Sequence, residues 1–143
     1  MKIVDANVLI YAVNEDSPNH AQARSWLDDA LQGAEPVGFA WSVLLAFLRL
    51  TTRSGLFPRP LGLDDAARVI EGWLSQPMAV VVEPTRRHLA LLRGLLAGTG
   101  TAANLVGDAH LAALALEHGA TICSFDADFD RFPGVRWRRP GEG

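Results

Sequence analysis

Short apolar segments alternate with longer helix-like segments along almost the whole chain, and this alternation most constrains the fold. The strand-like segments occupy residues 2–5, 36–40, 78–83, 121–125 and 135–139. The helix-like segments occupy residues 6–13, 18–32, 42–53, 63–75, 85–97 and 104–118. Strands that alternate with helices predict βαβ units and a mostly parallel sheet, so the expected fold class is α/β. In such sheets, functional residues lie beyond the carboxyl ends of the strands.

The length and composition predict one globular domain that spans residues 1–143. The hydrophobic fraction of 49% and the charged fraction of 20% are ordinary for a soluble protein. No apolar run approaches the roughly 18 residues that a membrane span needs, and the start "MKIVDANVLIYAVNEDS" lacks the features of a signal peptide. The single cysteine, Cys123, cannot form an internal disulfide. We therefore expect a cytoplasmic protein with no membrane contact.

The charge balance leaves the question of nucleic-acid binding open. A formal net charge of −3 argues against a wholly basic nucleic-acid binder, but it allows a local basic surface. Twelve of the 13 basic residues are arginine. Arginine forms bidentate contacts with phosphates and carboxylates, whereas a GC-rich genome would produce the same bias without a functional cause.

Three aspartates fall where the predicted topology brings residues together. Asp5 ends the first strand and Asp126 follows the strand "TICSF", so both lie at the same edge of the sheet. Asp108 lies early in a helix rich in Leu and Ala, on the side that faces the core. Crowded carboxylates repel one another unless protons or a cation neutralise them. Hard oxygen ligands of this kind suit Mg²⁺ or Mn²⁺.

Each aspartate also has a purely structural explanation. Asp5 would cap the next helix, Asp108 would be stabilised by a helix dipole, and Asp126 would form an Asx turn. A calcium-binding EF-hand loop in "DADFDR" is excluded. Its sixth position would be Arg131 rather than Gly, and its twelfth would be Trp137 rather than Glu.

The segments "VDANVLIY" and "GDAHLAALALEHGATICSFDADF", with the order of strands and helices between them, resemble the PIN domain. More narrowly, the chain is similar to the VapC-type toxins of bacterial type II toxin–antitoxin pairs. The resemblance implies a PIN-like three-layer α/β/α fold with a mostly parallel sheet of four to five strands. It further implies a Mg²⁺- or Mn²⁺-dependent ribonuclease that hydrolyses RNA phosphodiester bonds. A small antitoxin partner and a homodimer are also implied.

The resemblance assigns roles to the acidic residues. It implies that Asp5 and Asp108 are the principal metal ligands and that Asp126 is a further ligand in the acidic cluster. Asp128 would assist from outside the metal's immediate ligands. All four would belong to the catalytic site.

Other residues would support these acids and hold the RNA. Asn7 would orient the Asp5 carboxylate, and Ser124 would either support Asp126 or contact the substrate. Arg49 is the favoured RNA contact, because it lies near the acidic cluster in the family's fold, where it would either contact RNA or partly offset the charge of the acids. Further basic residues cluster near the end of the chain at Arg136, Arg138 and Arg139. The four histidines are interpreted as structural or solvated, and a role in the site is left open for His110 alone.

One position departs from the family pattern. PIN domains usually carry a Glu on the helix after the second strand, and here Ala46 stands in that place. No acid occurs between Glu35 and Asp64, so this helix cannot complete the site. Either three acids and bound waters suffice, or Asp128 compensates, or activity is weakened or lost. The last outcome would make the chain a PIN-fold module that binds RNA or protein without cutting.

Two further expectations concern a partner surface and a rival class. The apolar helix "WSVLLAFLRLTT" and the loop "GLFPRP" are the predicted surface for an antitoxin or a second copy. A phosphate-accepting receiver protein, with Asp5 as the acceptor, would need a strand-end Lys opposite the acid. The chain's one lysine is Lys2, so this class is disfavoured.

Overall fold

Five parallel strands form the central sheet in the computed structural model, which describes residues 1–55, 59–100 and 103–142. The strands are β1 (Lys2–Val4), β2 (Val37–Ala40), β3 (Ala79–Val82), β4 (Thr121–Cys123) and β5 (Trp137–Arg138). Their order across the sheet is β3-β2-β1-β4-β5, and every neighbouring pair is parallel. The predicted α/β fold with a mostly parallel sheet of four to five strands is confirmed.

Two groups of α-helices cover this sheet in the described part of the chain. They are α1 (Ala6–Val13), α2 (His20–Leu31), α3 (Trp41–Thr52), α4 (Leu63–Leu74), α5 (His88–Ala97) and α6 (Val106–His118). Helix α1 packs on α2 and α3, α3 packs on α4, and α5 packs on α6. The chain runs outward from β1 to β3 through α1–α4 and returns to β4 through α5 and α6. Right-handed crossovers therefore place the two groups on opposite faces, which gives the α/β/α layers.

Large apolar side chains fix the strands against the first group of helices. Ile3 of β1, Phe39 of β2 and Phe47 of α3 are fully buried. The ring of Trp73 on α4 lies 5.0 Å from the Phe47 ring and 6.4 Å from the Phe39 ring, measured between centroids. Each buried side chain of this size stabilises the fold by roughly 1.5–3 kcal/mol. This packing holds the carboxyl ends of the strands in place.

The start of α6 differs from the prediction, although its end agrees. The sequence predicts a helix from residue 104, but Asn104 lies within a 3₁₀ turn, Ala103–Leu105, that leads into α6. Leu105 occupies the N-cap position and provides no side-chain cap, so α6 begins at Val106. Gly119 ends α6 with a φ of 61°, as expected for a residue that tolerates the left-handed region.

Two other expectations concern the partner loop and membrane-spanning helices. The predicted partner loop "GLFPRP" includes residues 56–58, which lie outside the described residues. Within the described ranges, every helix is too short or too polar to cross a lipid bilayer.

Candidate active site

Most of the predicted site residues lie at or near the carboxyl ends of β1 and β4. The two strands are neighbours, and their register pairs Val4 with Cys123. The Asp5 backbone N–H donates to the Cys123 carbonyl over 3.0 Å, which extends the pairing by one residue. Asp5 therefore leaves β1 beside Ser124, as the strand-end rule predicts.

Ser124 lies at the centre of the polar contacts at this edge. It is fully buried, with 0% of its surface exposed. Its hydroxyl donates to Asp5 Oδ2 over 2.6 Å, and it accepts from Asn7 Nδ2 over 3.1 Å and from the Asp126 N–H over 3.0 Å. A hydroxyl offers one donor and two acceptor positions, so all three are in use. The Ser124 hydroxyl is thus fully hydrogen-bonded within the protein.

Asn7, in the first turn of α1, secures the segment that follows β4. Its Oδ1 accepts from the Phe125 N–H over 3.1 Å, and its Nδ2 donates to Ser124. The same Nδ2 lies 3.5 Å from Asp5 Oδ2, at the limit of a hydrogen bond. Asn7 therefore acts on the Asp5 carboxylate mainly through Ser124.

Asp108, Asp126 and Asp128 form the acidic cluster, in which each contributes one oxygen within 4.8 Å of the others. Asp126 begins a second 3₁₀ turn, Ala127–Arg131, and its Oδ1 accepts from the Asp128 N–H over 2.9 Å. Asp108 comes from the first turn of α6. Asp128, expected as an outer helper, is thus a full member of the acidic cluster.

Asp5 lies beside the acidic cluster, and both of its carboxylate oxygens already have partners. Oδ1 accepts from the Ala6 N–H over 2.8 Å, and Oδ2 accepts from the Ser124 hydroxyl. Each carboxylate oxygen has a second lone pair, so these bonds orient the group without closing it to a cation. The helix-cap explanation for Asp5 and the Asx-turn explanation for Asp126 therefore hold alongside the clustering.

Burial and mutual repulsion raise the pKa of two of these carboxyls. Burial, followed by the charges of Asp5, Asp126 and Asp128, raises the pKa of Asp108 from 3.8 to about 6. Burial also raises the pKa of Asp5 and the charge of Asp126 adds to this, although the bonds from Ser124 and Ala6 act in the opposite direction. The ionised forms of these groups are therefore poorly accommodated by the protein alone.

The acidic cluster has little positive charge to balance it. The Arg131 Nε lies 3.5 Å from Asp128 Oδ1, and both side chains are well exposed. Among the described residues, this is the one ion pair within 4.0 Å that involves the cluster or Asp5. A group of oxygen donors with excess negative charge fits a hard divalent cation such as Mg²⁺ or Mn²⁺.

Helix α3 brings no acid to this edge. Ala46, where the family pattern has Glu, lies half-buried in the second turn of the helix. Arg49 is exposed near the end of α3 and has no carboxylate within 4.0 Å in the described part of the chain. The structure shows no contact between Arg49 and the acids.

A separate polar network, which sequence reasoning missed, joins α5 to α6. The Glu117 side chain is 0% exposed and accepts from the Thr85 N–H over 2.8 Å and from the Thr85 hydroxyl over 2.6 Å. Its other oxygen lies 2.7 Å from His88 Nδ1, and His88 Nε2 lies 2.9 Å from His110 Nδ1. Burial raises the pKa of Glu117, but these hydrogen bonds lower it overall. His110 thus faces His88 of α5.

We expect Glu117→Ala to lower the free energy of unfolding at pH 7 by roughly 1–2 kcal/mol, because the exposed Thr85 and the partly buried His88 lose the acceptor of their hydrogen bonds. The wild-type stabilisation is complete above the ordinary pKa of 4.5 and is lost as the pH falls through the lowered pKa. Urea denaturation at pH 7 and pH 3 measures both effects. Glu117→Gln, which keeps the shape and one acceptor, should lose less. Equal stability of wild type and Glu117→Ala at pH 7 would contradict the prediction.

This chain is similar to known proteins over nearly its whole length. The family model of the PIN domain matches residues 2–135. Ribonuclease VapC37 of Mycobacterium tuberculosis is 59% identical over 140 residues, which cover 98% of this chain and 97% of that protein.

Solved structures with the same fold have much lower sequence identity. VapBC2 from Rickettsia felis, bound to a DNA fragment from its promoter, has a TM-score of 0.72 at 15% identity and covers 96% of this chain and 97% of that chain. VapC20 of Mycobacterium tuberculosis, a sarcin–ricin loop cleaving toxin, has a TM-score of 0.70 at 20% identity, with 95% and 99% covered. These two likenesses show the shared fold.

The family assignment rests on the sequence matches, and the fold agrees with it. The matched residues 2–135 include strands β1 to β4 and every acid of the site described above. They end just before β5. The identity to VapC37 extends over almost the full length of both chains. This chain is therefore a PIN-domain protein of the VapC ribonuclease family.

Proposed function

We propose that this protein is a metal-dependent endoribonuclease and the toxin of a toxin–antitoxin pair. The observation that carries the proposal is the acidic cluster, whose three carboxylates approach within 4.8 Å at the carboxyl edge of the sheet. The 59% identity to a protein named as a ribonuclease supports RNA as the substrate.

Some residues of the site would hold a metal ion, and others would orient the acids. A bound Mg²⁺ or Mn²⁺ would polarise a phosphoryl oxygen of the RNA and lower the pKa of an attacking water. Asp108, Asp126 and Asp128 supply oxygens that would hold the ion. Asp5, oriented by Ser124, adds a fourth carboxylate that would serve as a ligand or accept a hydrogen bond from the water.

The proposal has to work without the usual helix Glu. Mg²⁺ commonly keeps several water ligands, so a site with fewer carboxylates is chemically sufficient. Asp128 lies in the acidic cluster with Asp108 and Asp126, and we propose that it compensates for Ala46. The alternative is a catalytically weakened module that binds RNA or protein.

We propose that RNA and protein partners bind at the surface of α3. We propose Arg49 as an RNA contact, since it is exposed and has no carboxylate partner among the described residues. Trp41 and Leu45, four residues apart on α3, are 49% and 57% exposed. Neighbouring exposed apolar side chains mark protein interaction sites. They support a small antitoxin as partner, and we also propose a homodimer that acts in the cytoplasm.

The test is cleavage of total cellular RNA by the purified protein in Mg²⁺, Mn²⁺ or EDTA. We expect discrete products that require the metal and that fall at least about 100-fold in Asp5→Asn, because a metal site contributes several kcal/mol to the transition state. Asp16→Asn is the matched control. Asp16 is exposed and follows the far end of α1, so the same loss of charge should leave cleavage unchanged.

Ala46→Glu distinguishes the two candidate functions. Activity in the wild type shows that the reduced set of acids suffices. An inert wild type with an active Ala46→Glu variant would favour the binding module. If neither protein cuts RNA and neither binds Mn²⁺, the metal-site proposal is wrong.

A further inference from the structure

The end of β5 lies at the same edge of the sheet as the acids, and its residues neither hold the ion nor orient the carboxylates in the proposed reaction. Strand β5 runs parallel to β4 and pairs Arg138 with Cys123. The Ser124 N–H donates to the Arg138 carbonyl over 3.0 Å. Arg139, the next residue, therefore leaves the sheet at the same edge as the acids.

Trp137 is held in a fixed orientation by the 3₁₀ turn Ala127–Arg131. Its Nε1–H donates to Asp130 Oδ1 over 2.7 Å, and its ring centroid lies 6.5 Å from that of the buried Phe129. Asp128 of the acidic cluster belongs to the same turn. The indole ring is thus tied to the turn that carries one of the acids.

The Arg139 side chain lies over this ring. The guanidinium Cζ is 5.7 Å from the Trp137 ring centroid. Within the described ranges no carboxylate comes within 4.0 Å of it. A guanidinium that rests on an aromatic ring keeps its N–H groups available for a phosphate. Its outer face also offers a plane on which an RNA base stacks.

The other two arginines of the C-terminal group have different surroundings. Arg136 donates to the Gly119 carbonyl at the end of α6 over 3.1 Å, and Arg138 donates to the Trp137 carbonyl over 2.9 Å. Because side chains alternate along a strand, Arg138 lies on the opposite face of β5 from Trp137. Of these three arginines, Arg139 is the one that lies over an aromatic ring in the described part of the chain.

We propose that Arg139 and Trp137 form a binding subsite for single-stranded RNA. Arg139 binds a phosphate near the scissile one, and its guanidinium face stacks on a base. The subsite rests on the proposed ribonuclease function. The subsite also supplies positive charge where it is needed, because the acidic cluster and a net charge of −3 repel an RNA backbone. A fixed cation at the same edge of the sheet offsets that repulsion where the strand enters.

The test is fluorescence anisotropy with a short fluorescein-labelled single-stranded RNA in EDTA, where no metal-dependent cleavage occurs. We expect Arg139→Gln to weaken binding about 10-fold and to reduce the salt dependence by about one phosphate contact. Arg139→Lys, which keeps the charge but loses the plane, should lie between this variant and the wild type. Arg138→Gln is the matched control, with the same charge change at the adjacent position, and should alter binding less than about 2-fold.

Four results would overturn the subsite. The first is equal binding by Arg139→Gln and wild type, and the second is an equal loss in Arg138→Gln and Arg139→Gln. The third is intact RNA binding in Arg139→Gln with weakened binding of a polyglutamate peptide, which would assign the surface to an acidic protein segment. A wild type that does not bind the RNA overturns it as well. Because no metal is present, a protein that binds RNA through Arg139 but never cleaves it would refute the ribonuclease proposal alone.

Discussion

Asp108→Asn is expected to abolish RNA cleavage and to make the metal-free protein more stable. Asn keeps the shape of the side chain but removes a charged ligand from the acidic cluster, so we expect at least about a 100-fold loss of cleavage. The same change removes a carboxylate whose ionised form is opposed by burial and by three neighbouring acids. Activity and stability should therefore change in opposite directions.

The gain in stability should depend on pH in a defined window. The folded pKa of Asp108, about 6, lies above its ordinary value of 3.8, so the unfolded chain ionises first. The destabilisation is absent below 3.8, grows as the pH rises, and is complete above about 6. The full difference would be worth about 3 kcal/mol. Solvent screening of this half-exposed group reduces it to about 1 kcal/mol, or roughly 3 °C in Tm at pH 7.

Thermal melts of wild type and Asp108→Asn in EDTA, at pH 4 and pH 7, measure this effect. The variant should melt higher at pH 7 and about equally at pH 4. Adding Mg²⁺ should raise the Tm of the wild type more than that of the variant, because a ligand that binds the folded state stabilises it. Asp16→Asn supplies the control for loss of one surface charge. A variant that melts below the wild type in EDTA at pH 7 would show that Asp108 is not under electrostatic strain.

The position of the acids could be predicted because it follows from topology. Asp5 ends one strand, Asp126 follows another, and parallel strands direct their carboxyl ends to one edge. No knowledge of side-chain packing is needed for that conclusion. The same argument fails for Asp128. Its place depends on the 3₁₀ turn Ala127–Arg131, whose short polar sequence has no hydrophobic period.

The side-chain networks could not be predicted from the sequence, for a different reason. Ser124 and Asp5 are 119 positions apart, and His88 and Glu117 are 29 apart. Their contacts depend on how strands and helices pack, which a pattern of apolar residues specifies only to within a face. Arg138 and Arg139 looked like members of one basic cluster in the sequence. In the structure Arg138 belongs to β5, whereas Arg139 follows it and lies over the Trp137 ring, so the two side chains have different neighbours.

Ser124→Ala is expected to damage the site more broadly than the loss of a small hydroxyl suggests. The buried hydroxyl joins the Asp5 carboxylate, the Asn7 amide and the Asp126 N–H. Without it, three polar groups lose a partner where water has little access, and the free energy of unfolding should fall by roughly 2–3 kcal/mol. Cleavage should fall about 10–100-fold, the usual range for residues that orient metal ligands.

A double-mutant cycle tests whether Ser124 and Asn7 act as one unit. Because the Asn7 amide bonds to the Ser124 hydroxyl, the two alanine variants should be non-additive in urea denaturation by about 1 kcal/mol. Thr51→Val is the control for a buried hydroxyl elsewhere. Thr51 is 0% exposed and bonds to the Phe47 carbonyl within α3, so its loss should spare cleavage. Additive effects of Ser124→Ala and Asn7→Ala, with cleavage unchanged, would mean that the acids are positioned by the strand ends alone.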